Sequence, residues 1–200
     1  MALNYANNQS LSAITVLPAS VSGGALTLLE TQTASSSATI DFTSNIDSTY
    51  DAYMFKFYNI HPANDETQFQ FNMSTDGGSN YNVTKTTTYF YSAHSEGDAT
   101  EFTYRTPKDL AQSTSFQDLV QGTGADNDQN SSGFLHLFNP SSTTFVKHFI
   151  ARTSDYNANN YGIDSYIAGY GNTTSVIDAV RFQMSSGNID SGVIKLYGIS

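Results

Sequence analysis

A polypeptide that closes on two apolar runs joined by glycine-rich turn residues has few ways to fold, and residues 176–200 are such an ending. In VIDAVRFQMSSGNIDSGVIKLYGIS, Val176, Val180, Phe182 and Met184 share one parity, broken by Asp178, while Arg181 and Gln183 take the other. That period of two marks a half-buried strand. Gly187 and Gly192 then stand among Ser, Asn and Asp, residues that favour turns because they tolerate left-handed backbone or bond to it. Val193, Ile194, Leu196, Tyr197 and Ile199 form the second run. An apolar strand is expected to be paired inside a sheet, since a free apolar edge invites aggregation. The stretch holds no nucleophile–base pair and no metal-ligand spacing. It organises a fold, not a reaction.

The same signal recurs along the chain. Residues 26–32 and 37–43 read as strands, the second with Ile40 and Phe42 alternating with Thr39, Asp41 and Thr43. Residues 53–60 place Tyr53, Phe55 and Phe57 on one face, and His61-Pro62 ends the run because proline cannot donate to a ladder. Phe69, Phe71 and Met73 alternate strictly before the turn DGGSN at 76–80. These four are expected to be tightly turned antiparallel neighbours. Further strands are expected at 83–91, 115–122, 133–140, 143–153, 162–171, 175–184 and 192–199, with a polar loop at 93–102 and a loop at 124–133. TPKDLAQ (106–112) offers one helical turn, with Thr106 as N-cap and Pro107 at the first helical position. About ten strands at this spacing suit a sandwich or barrel.

Composition agrees. Thirteen Tyr and thirteen Phe suit pleated, half-buried surfaces. A chain of 200 residues suits one domain and buries roughly 70% of its unfolded surface. Only eight Lys and Arg and a net charge of −10 argue against nucleic acid, which needs clustered cations. The absence of cysteine excludes disulfides, a thiolate nucleophile and Cys-type zinc sites. No stretch approaches the length of a transmembrane helix. MALNYANNQS has neither a basic region nor an apolar run, so no secretion signal is expected. Residues 1–25, rich in Asn and Ser and closed by Gly23-Gly24, read as an N-terminal arm that packs on its own domain or on a neighbouring subunit. The domain proper is 26–200.

Candidate chemistry is thin. Asp126, Asp128 and Asn130 open the spacing of a calcium loop, but Ser131 replaces the glycine and Leu137 stands where a bidentate Glu belongs. An exposed Asx-rich turn accounts for them. His94, Glu96 and Asp98 cluster in a Gly- and Ser-containing segment, with no sign of the pocket an acid–base pair needs. His136 and His148 lie on neighbouring strands that are apolar on both parities. Such strands are buried on both sides or have one face covered by a partner. No third metal ligand joins the pair. No Gly-x-Ser-x-Gly elbow occurs. Tyr89, Tyr91, Tyr104, Tyr156, Tyr161, Tyr166 and Tyr170 are candidates for stacking on sugars or anchoring an interface, or for ordinary half-buried sheet positions. No catalytic residue, metal or cofactor is expected.

The pattern from Val180 to Gly198, with Arg181-Phe182, Ser186-Gly187-Asn188-Ile189, Ser191-Gly192 and Ile194-x-Leu196-Tyr197-Gly198, resembles the C-terminal signature of small β-rich virion proteins of tailed bacteriophages, marine and environmental ones above all. Residues 37–57 and 131–149 are similar to further blocks of that group. The resemblance implies an antiparallel, jelly-roll-like β-sandwich and a non-enzymatic place in the virion. An outer capsid decoration or cement protein is the expected role, as a homotrimer contacting the major capsid protein or other virion proteins. A tail-fibre or tail-tip component contacting the host surface, or a carbohydrate-binding module for a host-surface glycan, are the alternatives.

Overall fold

Alternating aromatic and polar side chains give an all-β chain in the computed structural model, which describes residues 26–199; the expected arm, 1–25, lies outside the described residues. The strands are β1 (Leu26–Ser37), β2 (Ile40–Phe42), β3 (Ala52–Pro62), β4 (Phe69–Ser74), β5 (Lys85–Ser95) and β6 (Thr100–Tyr104), followed by β7 (Gln117–Asp118), β8 (Ser131–Phe138), β9 (Lys147–Tyr156), β10 (Tyr161–Gly171), β11 (Ala179–Met184) and β12 (Ile189–Ile199). They form an eight-stranded sheet, β1-β12-β3-β8-β9-β10-β5-β6, and a four-stranded sheet, β2-β11-β4-β7. All pairings are antiparallel.

The topology is one long hairpin wound around a core. β1 pairs β12, β2 pairs β11, β3 pairs β8 and β4 pairs β7, and these nested pairs fall alternately in the larger and the smaller sheet. That is a jelly-roll-like sandwich. Two hairpins are inserted in it, β5–β6 between β4 and β7, and β9–β10 between β8 and β11. They join each other through the β10–β5 pairing and widen the larger sheet.

The core lies between the sheets. Phe55 and Phe57 of β3 face Phe69 and Phe71 of β4, Phe42 of β2 and Phe182 of β11, all nearly inaccessible. The Phe182 ring lies 5.2 Å from Phe55, 5.2 Å from Phe57, 5.6 Å from Phe69 and 6.1 Å from Phe42, mostly edge to face. Under the widened part of the larger sheet, Leu119 and Val120 close the inner side. Thr153 Oγ1 donates to the Leu119 carbonyl there, and the Gly124 N–H to Tyr156 O.

Several sequence expectations are corrected. The strands from 26 to 74 are not neighbours: β1 and β3 lie in the larger sheet and β2 and β4 in the smaller one, so that the aromatic faces of β2, β3 and β4 meet across the core. The two runs of 176–200 likewise part, β11 into the small sheet and β12 into the large one. The segment at 106–112 forms a single turn closed by the Lys108 N–H on Arg105 O (3.0 Å). Its backbone is engaged elsewhere, since Thr87 and Leu110 exchange bonds and Lys85 pairs with Ser113. Expected strand 115–122 shrinks to β7. The expected loop at 93–102 instead contains the end of β5 and most of β6, around a turn near Gly97.

Candidate functional site

The two faces of the large sheet differ from those of an ordinary sandwich. The inner face is core. The outer face, with no second layer over it among the described residues, is aromatic and aliphatic as well. Register defines it. One row crosses all eight strands: Thr31, Lys195, Lys56 and Phe134 from β1, β12, β3 and β8, continuing through Arg152, Tyr166, Phe90 and Tyr104 from β9, β10, β5 and β6. The adjacent row runs through Leu28, Tyr197 and Met54, then His136, Ile150, Ala168 and Thr88. Leu28, Ile150 and Tyr104 are each about half exposed, and Phe102 on β6 is 74% exposed. Exposed hydrophobic side chains are thus grouped on this face together with Lys56, Lys195 and Arg152.

The face is held rigid by its own contacts. Phe90 and Tyr166 stack at 4.9 Å with planes 3° apart. Arg152 lies 4.8 Å from the Tyr166 ring and grips Asp164 with two hydrogen bonds of 2.9 and 2.6 Å. Tyr166 donates its hydroxyl to the same carboxylate, whose pKa these bonds lower. Phe134, His136 and Phe138 follow one another along β8 at 5.2 and 6.0 Å. Burial and the nearby Lys56 charge push the His136 imidazole down. Between Phe138, His148, Ile150 and Tyr170 the small Ala168, Thr86 and Thr88 leave a shallow apolar depression of about 480 Å³.

The cations are distributed unevenly. Of the eight Lys and Arg, Lys85 and Lys147 are buried. Lys108, Arg152 and Arg181 pair with Asp118, Asp164 and Asp41, and Arg105 lies over the Tyr91 ring. Lys56 and Lys195 remain, directly opposite each other on the outer face, each 5.5 Å from a tyrosine ring (Tyr197 and Tyr58) and neither within 4 Å of a carboxylate among the described residues. Like charges opposed across strands cost stability unless something offsets them. An acidic molecule thus carries a local positive patch on its most apolar face.

The residues singled out from sequence scatter. Asp126 and Asp128 are exposed in a turn closed by the Gln129 N–H on Asp126 O (2.8 Å), and no group of three potential metal-binding side chains occurs among the described residues. His94 lies 3.1 Å from Asp98, both largely exposed, while Glu96 accepts from the Tyr156 hydroxyl. His136 and His148 do share the outer face, with Ile150 standing opposite His136. The tyrosines divide three ways. Tyr89 and Tyr91 are core, Tyr89 hydrogen-bonded to Ser165 at 2.7 Å. Tyr156 and Tyr161 sit at the loop end of β9–β10. Tyr104, Tyr166 and Tyr170 belong to the outer face. Missed in the sequence were Met54, Lys56, Ile150, Phe90 and Tyr197; their signal was the double-parity apolar pattern of β8 and β9, which continues across the sheet.

Fold and face together define a jelly-roll-like β-sandwich whose larger sheet exposes several aromatic and aliphatic side chains on its outer face. No family model, curated protein or solved structure matches the chain.

Proposed function

We propose that this protein is a non-enzymatic structural subunit of a bacteriophage virion, acting as an outer capsid decoration or cement protein. The observation that carries the reading is the outer face of the eight-stranded sheet, whose rigid aromatic rows and half-exposed aliphatic residues suit burial against another protein surface. Aromatic side chains, Met and Arg are the residues enriched where proteins bury surface on each other. The resemblance of residues 180–198 to phage virion proteins directs the reading to a particle. The mechanism is mechanical: contacts made only by the assembled state stabilise it by mass action. A high-copy subunit also benefits from a net charge of −10 that keeps the free chain soluble.

Copy number in purified particles tests this, by quantitative mass spectrometry against the major capsid protein. A ratio near one, or one to three, is expected. A ratio of a few per cent moves the protein to the tail, where the same face would contact the host. Absence from the particle overturns the reading.

A further inference from the structure

We infer that Lys85 and Asn72 join in an intramolecular isopeptide bond, formed by the folded chain itself with release of ammonia. This modification site goes beyond the reading of the protein as a virion subunit and does not depend on it.

Lys85 opens β5 in the larger sheet, and Asn72 lies in β4 of the smaller one. Both are fully buried. Lys85 Nζ donates to Asn72 Oδ1 at 2.5 Å and to the Val83 carbonyl at 2.8 Å. Among the described residues no carboxylate lies within 4 Å of this amine. The Asn72 amide is held at both ends. Its Oδ1 also accepts from the Met73 N–H at 2.8 Å, and its Nδ2 donates to Tyr81 O at 2.7 Å and Thr114 O at 2.9 Å. With donors on one side and carbonyls on the other, the amide has one orientation, and its oxygen faces the amine.

This arrangement supplies what aminolysis of an amide needs. Burial with no counter-charge favours the uncharged amine and pushes the Lys85 pKa from 10.5 down to about 7, so the nucleophilic form is well populated at neutral pH. The Asn72 Cγ stands one covalent bond behind the oxygen that the amine touches. Reactants fixed in this way gain effective concentrations of roughly 10⁵ M or more. The Met73 N–H polarises the carbonyl and stabilises charge that develops on its oxygen. In the step itself the Nζ lone pair adds to Cγ, while one Nζ proton passes along the existing hydrogen bond to Oδ1. The adduct then gives that proton to Nδ2 as the Cγ–Nδ2 bond breaks. One Nζ–Cγ bond is made, one Cγ–Nδ2 bond is lost, and ammonia leaves. No oxidant is consumed and no net charge is created, which suits a buried site without a carboxylate.

Lys147 provides the comparison within the same chain. It is buried too, but its Nζ meets only the backbone carbonyls of Phe145 (2.8 Å) and Thr173 (3.3 Å), so no side-chain amide is within its reach. The Lys85–Asn72 bond gives a chain without cysteine a covalent tie between its two sheets.

The intact mass of the full chain, measured after unfolding, should lie one ammonia below the value its sequence gives. Trypsin should cut after Lys147 but not after Lys85, and peptide 57–105 should carry the whole deficit, closed on itself between residues 72 and 85. Lys85→Met, which keeps a buried unbranched side chain without the amine, should show its full sequence mass. A chain kept in urea from synthesis onward should not react, which separates this bond from succinimide formation at asparagine. The wild-type readings stand whether or not the variant folds. A folded wild type at its full sequence mass after prolonged storage at mildly alkaline pH, complete cleavage after Lys85, or a deficit that maps to other residues overturns the inference. Each of these leaves the virion reading intact, because copy number in particles is measured separately.

Discussion

Asp155, on the inner side of β9, is 3% exposed, and neither carboxylate oxygen meets a partner in hydrogen-bond geometry. Burial pushes this carboxyl up from 3.8 to about 7, with the nearby Gln121 and Gly122 amides opposing part of the shift. The native state therefore holds the proton more tightly than the unfolded chain. The Asp155 contribution to stability is fully present below pH about 4 and is lost as pH rises to about 7, by up to on the order of 4 kcal/mol. Asp155→Asn removes the ionisable group, so wild type should lose more stability than the variant between pH about 4 and about 7. Urea unfolding at the two pH values measures it; an equal loss in both proteins would show that the carboxyl ionises as freely as in water. Phe182 gives a prediction independent of pH. Its ring sits among aromatic partners from both sheets, and Phe182→Ala should cost about 3–5 kcal/mol through the cavity left behind. Phe182 was legible as an inward residue from its alternation with Arg181 and Gln183. Asp155 was not, because nothing local distinguishes a buried carboxylate from the exposed ones in the loops nearby.

At the scale of elements, the connection between β11 and β12 shows where local reading stops. Gly187 takes a φ of +72° and a Cβ there would meet the Asn64 side chain at 2.7 Å. Gly187→Ala should destabilise the protein by about 1–2 kcal/mol, from left-handed strain and crowding, visible as a lower urea midpoint with an unchanged slope. The turn chemistry of this segment was plain in the sequence. Its destination was not: the loop is a crossing from one sheet to the other rather than a hairpin, and a short turn-rich loop serves either purpose. Most long strands were legible within a few residues because alternation is a local property. The two-residue β7 and the strand ends around residues 95–100 were misread. The partner of β7 is distant in the chain, with Phe71 opposite Gln117, whereas Ala93 opposite Glu101 closes a local hairpin whose polar turn residues hide it.

Across the whole molecule, β12 lies between β1 and β3 and joins the two ends of the described chain. Deleting residues 189–199 removes Ile189, Ile194 and Leu196 from the core and leaves β1 without its strand partner, so cooperative thermal unfolding should be lost. Nested pairs of such wide sequence separation also place folding among the slow, non-local topologies, with refolding expected in the range of milliseconds to seconds or longer. Legible along the chain were the all-β class, the inward parity of strands such as β4 and β11, and the double-parity pattern at β8 and β9. These follow from side-chain alternation, which each strand carries within its own few residues. Three-dimensional packing was needed to learn which strands pair, that the two inserted hairpins widen one sheet, and that Lys56, Lys195, Ile150 and Tyr166 share a single outer face. Register across eight strands is set by the joint packing of two sheets, and residues more than a hundred positions apart become neighbours through hydrogen bonds that leave no mark in either segment alone.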